Sequence, residues 1–503
     1  MTPSEELFQL IKSLTPNEKG YFKKFSKLHV REGKNNYMRL FEAIDRQERY
    51  DERALLREFS NEQFVKQFPV AKNYLFNLIL KALDVYHSEV DLEIGYLIHC
   101  SLMLMDKAMY DSAYKYLKKA KAMAIENSKL SYLNKILHHE LQLLRNDVPV
   151  KLEWHREALY RERIESANQI LYIVELQNLN DRMQLEFNKS FGAGRKSVLK
   201  DIEQMMKHPL MKSDPARLSI YAQVEFWSIK MYYHTIRSES QQLFKCSLQL
   251  VSVLNKYWDV LNTRTKIMIL QNHCTTCMMS DRMDLATETL EKLRSIHTTE
   301  AGDNLAVFQF VRLHELHIFM KTGQYEKSRS VIDNIEKELG RYEDKIQNNY
   351  RGFLISAVAM TYFANGQHKE ALRWAGMVLN SKLSDYRSDI VAGVKLLEML
   401  IFYETGKIDL FDSKLRSYER QCNKHREGHA FELLVLARLR NLLRQNKPDN
   451  FGPALKRFRD DVAAHLKKFP ADRNVFYDFD ILQWIDSKLT GVPLNELIAG
   501  KAR

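Results

Sequence analysis

Gly323-Gln324-Tyr325-Glu326-Lys327-Ser328 and Gly366-Gln367-His368-Lys369-Glu370-Ala371 are the two stretches on which the fold turns. In each, a glycine is followed two places on by a ring and five places on by a small side chain. Apolar residues then recur at helical intervals: Ile332 and Ile335 after the first stretch, Ala375 and Val378 after the second. A glycine takes positive φ without a Cβ penalty, so it can join two antiparallel helices. The ring plugs the base of the hairpin, and the small residue lets the helices approach closely. Ala108-Met109-Tyr110-Asp111-Ser112-Ala113 is a third copy, followed by Leu117 and Ala120. Asp281-Arg282-Met283-Asp284-Leu285-Ala286 and Gly406-Lys407-Ile408-Asp409-Leu410-Phe411 are weaker ones. Ser238 is read as opening another, and Gly192 and Asn146 as opening degenerate ones. The steps are even: 43 residues from Ser238 to Asp281, 42 to Gly323, 43 to Gly366 and 40 to Gly406.

This pattern resembles the tetratricopeptide repeat, over roughly residues 91–420. The standard unit has about 34 residues, so each helix here gains about one turn. The resemblance implies an all-α, right-handed superhelical solenoid of antiparallel helix hairpins. In that family the first helix of each hairpin lines a groove that holds a peptide. Registering this chain on that plan gives groove positions Met268, Gln271 and Met278, then Phe310, His317 and Met320, then Phe353, Met360 and Phe363, then Leu400 and Tyr403. The resemblance thus implies partner binding by Met278, Phe310, His317, Met320, Phe353, Met360, Phe363 and Tyr403. The Lys and Asn cluster with which some members clamp a terminal carboxylate is missing here. A groove lined by Met and aromatic residues suits an apolar protein segment, because Met adapts its shape. The competing reading is that longer helices close the groove and these side chains are core.

Composition agrees with long helices and short connections. The 503 residues include 17 Gly and 10 Pro, with no Pro between Pro215 and Pro448. A β-rich domain would need more turn residues. Residues 1–90 read as an N-terminal helical region, 91–420 as the repeat array and 421–503 as helices that cap it. Thr15-Pro16-Asn17-Glu18 has the form of a capping box. Tyr37, Leu40, Phe41 and Ile44 share a helix face, and Asp51 caps a helix to Phe59. After Pro69 a long amphipathic helix carries Tyr74, Leu75, Leu78, Ile79, Ala82, Leu83 and Tyr86. Near the C-terminus, Pro448, Pro453, Pro470 and Pro493 cut the chain into shorter helices, with Val475, Phe479, Leu482 and Leu489 on one face.

The formal charge of +12 is mild for this length. Basic stretches such as Lys115–Lys121 and Lys456–Arg459 sit at helical spacing with acids nearby, as on a solvated face. Five cysteines are an odd and sparse set, which argues against a disulfide framework and for a reducing compartment. The N-terminus lacks a signal-peptide pattern, and no apolar run reaches spanning length. The expected location is cytoplasmic.

Four motifs invite chemistry, and each has a plainer reading. Cys274-Thr275-Thr276-Cys277 has redox or metal spacing, but its register matches Ala359 and Tyr362 on a first helix, where cysteine packs as a small hydrophobe. His314-Glu315-Leu316-His317 is one residue short of the zinc-protease spacing and reads as a surface or groove pair. His138-His139 diverge in direction on a helix. Gly192-Ala193-Gly194-Arg195-Lys196-Ser197 lacks the Gly-Lys pair of a phosphate loop and reads as an inter-helix turn. A DNA-binding helix pair can also be drawn from Asp51–Phe59 and Val70–Tyr86, with Lys72, Asn73, Asn77 and Lys81 as its polar tips, although the connection is longer than a helix-turn-helix allows. The expected function is a non-enzymatic protein–protein interaction scaffold without cofactor or metal. The alternative is a nucleic-acid-binding regulator that uses the N-terminal helices.

Overall fold

The computed structural model describes residues 3–28, 36–86, 90–145, 156–190, 195–298, 300–341, 346, 348–381, 388–424, 429–444, 448–469 and 480–500. Among these residues every regular element is helical, and no helix is long and apolar enough to cross a membrane. The chain divides into two compact units, Met1–Ala167 and Asn168–Arg503. The expected boundary near residue 90 falls inside the first, and that near 420 inside the second. Asn146, Gly192, Pro470, Val475 and Phe479 lie outside the described residues.

The first unit opens with α1 (Pro3–Ser13), α2 (Pro16–Leu28), α3 (Asn36–Arg46), α4 (Glu52–Glu58), a 3-10 turn (Gln63–Gln67) and α5 (Phe68–Tyr86). The local signals act as read. The Glu18 carboxylate accepts from the Thr15 amide at 2.6 Å, and the Thr15 hydroxyl accepts from the Glu18 amide at 3.3 Å. This closes the capping box at the start of α2. Asp51 caps α4 by accepting from the Ala54 amide at 3.0 Å. Leu40, Phe41 and Ile44 of α3 meet Leu75, Ile79 and Ala82 of α5 in one core. Tyr74 departs from the expected apolar face: it is exposed, and its ring lies 4.3 Å from that of Tyr37. α6 (Val90–Asp106), α7 (Tyr110–Glu126), α8 (Leu130–Arg145) and α9 (Arg156–Ser190) follow. α6 packs on α7 and α7 on α8 around Ile94, Leu97, Ala113, Leu117 and Ile136. The unit boundary falls within α9, which is 35 residues long.

The second unit continues with α10 (Arg195–Met205), two 3-10 turns (Pro209–Lys212 and Pro215–Arg217), α11 (Ile220–Arg237) and α12 (Ser240–Lys256). Then come α13 (Thr263–Met279), α14 (Met283–Arg294), α15 (Ala301–Lys321), α16 (Tyr325–Arg341), α17 (Asn348–Ala364), α18 (His368–Leu379), α19 (Ser388–Glu404) and α20 (Ile408–Lys424). α21 (Ala430–Leu443), α22 (Pro448–Lys468), α23 (Ile481–Thr490) and α24 (Leu494–Gly500) end the chain. From α11 onward the helices pair in sequence, and α13, α15, α17 and α19 also pack on one another in turn. Pairing continues past residue 420, with α20 on α21 and α21 on α22. Pro453 does not end a helix; it lies inside α22, where it forgoes the amide bond to the Asp449 carbonyl.

The bends between paired helices share one geometry. Ala108, Ser238, Asp281, Gly323, Gly366 and Gly406 all have positive φ, between 56° and 72°. Ser128, between α7 and α8, adopts it too at 54°, with no glycine to announce it. At each of these bends the next residue's amide reaches back five places to a carbonyl of the preceding helix, at 2.8–2.9 Å; Gln324 to Phe319 and Lys407 to Phe402 are examples. This left-handed cap satisfies carbonyls that the helix end leaves open. The small residue five places past the bend is fully buried at Ala113, Ala286 and Ala371.

The final helices fold back along the second unit. α24 packs back onto α15. The Trp484 indole donates to Glu404 at 2.7 Å, and Lys488 pairs with the same carboxylate at 2.6 Å. Further on, Asn495 donates to the Asn365 side chain at 3.4 Å, and its carbonyl accepts from the Tyr325 hydroxyl. The tail therefore runs along the bends that follow α19, α17 and α15. Its buried face is Ile481, Trp484 and Ile485, whereas Leu489 is exposed. Indole and ammonium both reach the Glu404 carboxylate at one hairpin end, so this strip lies over earlier bends.

Candidate functional site

The expected contact residues lie on α13, α15, α17 and α19, in register with the bends. Met278, Met320, Phe363 and Tyr403 each stand three places before the positive-φ residue, and their carbonyls accept its amide at 2.9–3.2 Å. Such a position points under the bend, and burial follows. Met278, Phe310, Met320, Met360 and Phe363 are at most 8% exposed, so they are held within their own chain's core. The Thr361 hydroxyl, which donates to the Ala357 carbonyl, lies 2.9 Å from the Met320 sulfur, and Phe310 meets Tyr350 edge to face at 4.9 Å. His317, Phe353 and Tyr403 keep partial exposure. Tyr403 lies edge-on to Trp484 at 5.8 Å, so the C-terminal strip covers one side of its ring. Burial at that ring pushes its phenol up to about 12. Leu400 is fully buried, and Met268 and Gln271 are half-buried. The eight residues therefore do not form one open apolar groove.

The chemistry-like motifs resolve into packing. Cys274 and Cys277 are fully buried on α13, as is Ala359 at the matching place on α17. The His273 ring joins Ser247 at 3.0 Å through Nδ1 and the Cys277 sulfur at 3.5 Å through Nε2. Because Ser247 donates to the Phe244 carbonyl, Nδ1 carries the proton and Nε2 accepts from the thiol. Burial pushes the Cys277 thiol up to about 11 and the Cys274 thiol higher still, the opposite of an activated nucleophile. All five cysteines are unpaired and buried. His314, read as half of a surface or groove pair, is instead core: it is 1% exposed, and neither ring nitrogen has a hydrogen-bond partner. Burial, helped by neighbouring His317, pushes it down to about 3. Glu315 beside it is buried and paired with Arg294 and Arg312 at 2.5 and 2.7 Å. His139 is nearly buried and joins Gln142 at 2.8 Å. Gly192, Ala193 and Gly194 lie outside the described residues, while Arg195 opens α10.

On the first unit, a shallow groove of about 250 Å³ runs along α5 between Val70, Asn73, Tyr74, Asn77, Leu78 and Lys81. Three of the four polar residues proposed to reach DNA line it. The fourth does not: Lys72 is buried and pairs with Glu52 at 2.7 Å. Asn77 spends donors on Asn73, at 2.9 Å to its carbonyl and 3.3 Å to its side chain. The basic stretch on α7 is partly neutralised, with Lys119 on Glu93 and Lys121 on Glu140 and Glu162. Arg459 on α22 pairs with Asp486 at 2.5 Å. The C-terminal strip had no local signal in sequence, because its partners at Glu404, Asn365 and Tyr325 are some 80 to 170 residues away.

No family model, curated protein or solved structure matches this chain.

Proposed function

We propose that this chain is a non-enzymatic protein–protein interaction scaffold built as a solenoid of tetratricopeptide-like hairpins. The supporting observation is the recurrence of one bend geometry at steps of 40–43 residues from Ser238 to Gly406, with alternate helices packed in turn. Units of this kind bury their apolar sides against neighbours and present a long side surface, as repeat arrays do. The partner on this reading is a protein segment with apolar side chains, met by the half-exposed His317 and Phe353. Met360 and Phe363 are too buried to serve, and a charge there would unfold the hairpin.

The test is capture by the purified full chain, followed by mass spectrometry. His317→Glu with Phe353→Glu should reduce recovery of a partner at least about tenfold, roughly 1.4 kcal/mol, while circular dichroism is unchanged. Undiminished capture by the double variant removes this surface from consideration.

The groove on α5 favours a second reading, contact with nucleic acid through Asn73, Asn77 and Lys81. Binding of this kind weakens steeply as salt rises, because counterions return to the phosphates. Absence of binding to single- or double-stranded oligonucleotides at low salt eliminates it.

A further inference from the structure

Among the residues lining it, the groove on α5 brings together one flat ring, two amides, one cation and no carboxylate. The ring is that of Tyr74, which is 46% exposed. Tyr37 does not line the groove; its ring packs 4.3 Å from that of Tyr74 and backs it. Val70 and Leu78 add apolar wall. The Asn77 amide donates to Asn73, so the Asn77 amide oxygen and the Asn73 amide NH2 are left over, an acceptor and a donor with no partner among the described residues. Lys81 lies one turn beyond Asn77, about 6 Å along the axis, and its ammonium pairs with no acid among the described residues.

We propose that this groove takes one unpaired base of a single-stranded nucleic acid, stacked on Tyr74 with a strand phosphate at Lys81; the inference rests on the nucleic-acid reading of the same groove. Each part of the lining selects against an alternative. An exposed ring face is matched by another flat face, and every base has one. In a duplex those faces are already stacked on neighbouring bases, so only an unpaired base can offer its face to Tyr74. A duplex reader also spreads its hold over several phosphates, whereas Lys72 is buried against Glu52 and leaves Lys81 as the one cation in the groove. A segment with aliphatic side chains would cover the two amide groups without pairing them, which costs free energy. The edge of an unpaired base carries donors and acceptors side by side and answers both. A free nucleotide fits less well than a strand. The groove holds about 250 Å³, less than the roughly 300–1,000 Å³ of clefts that enclose small ligands. A strand needs no enclosure, because its own chain continues past the groove on both sides.

Titration of fluorescent oligonucleotides about 10 nucleotides long with the full chain at low salt tests it. The single strand is expected to bind with a Kd between about 1 μM and 0.1 mM, and at least about fivefold more tightly than a duplex of the same sequence. Tyr74→Leu keeps apolar bulk beside Tyr37 but removes the flat face. It should weaken single-strand binding at least about fivefold with circular dichroism unchanged, whereas Tyr74→Phe should bind like the wild type. Lys81→Gln should flatten the fall of log affinity with log salt by about 0.7, the share of one phosphate on a single strand. Excess mononucleotide should not displace the strand. A duplex bound as tightly as the single strand, a Tyr74→Leu chain that binds like the wild type, or displacement by mononucleotide overturns the inference and leaves the nucleic-acid reading standing. Failure of both oligonucleotides to bind removes the two together.

Discussion

His314 sets two unpaired ring nitrogens inside α15, among side chains that offer them nothing. Each such buried polar atom costs about 1–3 kcal/mol. His314→Leu should therefore raise stability at pH 7 by about 1–3 kcal/mol, measured by urea unfolding. The same residue predicts an acid weakness. Its folded pKa is about 3, against about 6.5 for a free imidazole. Below about pH 6.5 the unfolded chain takes a proton that the fold refuses. Stability is full above that pH and falls as pH drops towards 3, by up to about 5 kcal/mol. His314→Leu should flatten this slope between pH 6.5 and 4; equal slopes in variant and wild type defeat the explanation. The burial was not legible in sequence. Leu313, Leu316, Ile318 and Met320 around it are all buried, so α15 is apolar on several sides and periodicity marks no outer face. Cys274 and Cys277 were legible, because their register against Ala359 placed them between paired helices.

At the scale of the element, the bends were readable wherever a glycine or a small-residue signature stood, and Ser128 was missed because its neighbours carry neither. The energetics of the bend can be ordered by substitution. Left-handed backbone costs an ordinary residue about 1–2 kcal/mol and glycine almost nothing. Ala108→Gly should accordingly stabilise by about 0.5–1 kcal/mol, since its φ is already 56°. Gly366→Ala should destabilise by about 1–2 kcal/mol through backbone strain alone, because a Cβ there meets nothing within 4 Å. Gly323→Ala should cost more, because its Cβ would come to 2.9 Å from that of Ala499. Chemical denaturation of the three variants gives the order, and a stabilised Gly366→Ala would refute the account of the bend. The expected groove failed at this same scale. Its residues were placed by register with standard repeats, yet Met278, Met320 and Phe363, three places before their bends, turn inward.

For the whole molecule, helical class and the serial pairing of helices could be read from turn spacing and the scarcity of proline. The path of the C-terminal strip could not, because contacts between Trp484 and Glu404 or Asn495 and Tyr325 leave no local pattern. Ending the chain before Asp480 should lower the melting temperature of the second unit by several degrees, since Trp484, Ile485 and Ile498 leave a shared core. Trp484→Phe should cost less, about 1.5–3 kcal/mol for the lost bond to a charged carboxylate. A truncated chain that melts like the full one would show the strip to be loosely held. The strip also counts hairpins. Trp484 and Asn495 are eleven positions apart in a short run of chain, yet they hold groups belonging to three successive bends. Excising one whole hairpin, from Gln324 through Gly366, would rejoin Gly323 to Gln367 and rebuild an ordinary joint. The tail would then find its anchorages one notch out of place. It serves as a tape measure laid across the stack, one that tolerates change within a hairpin more readily than a change in how many there are.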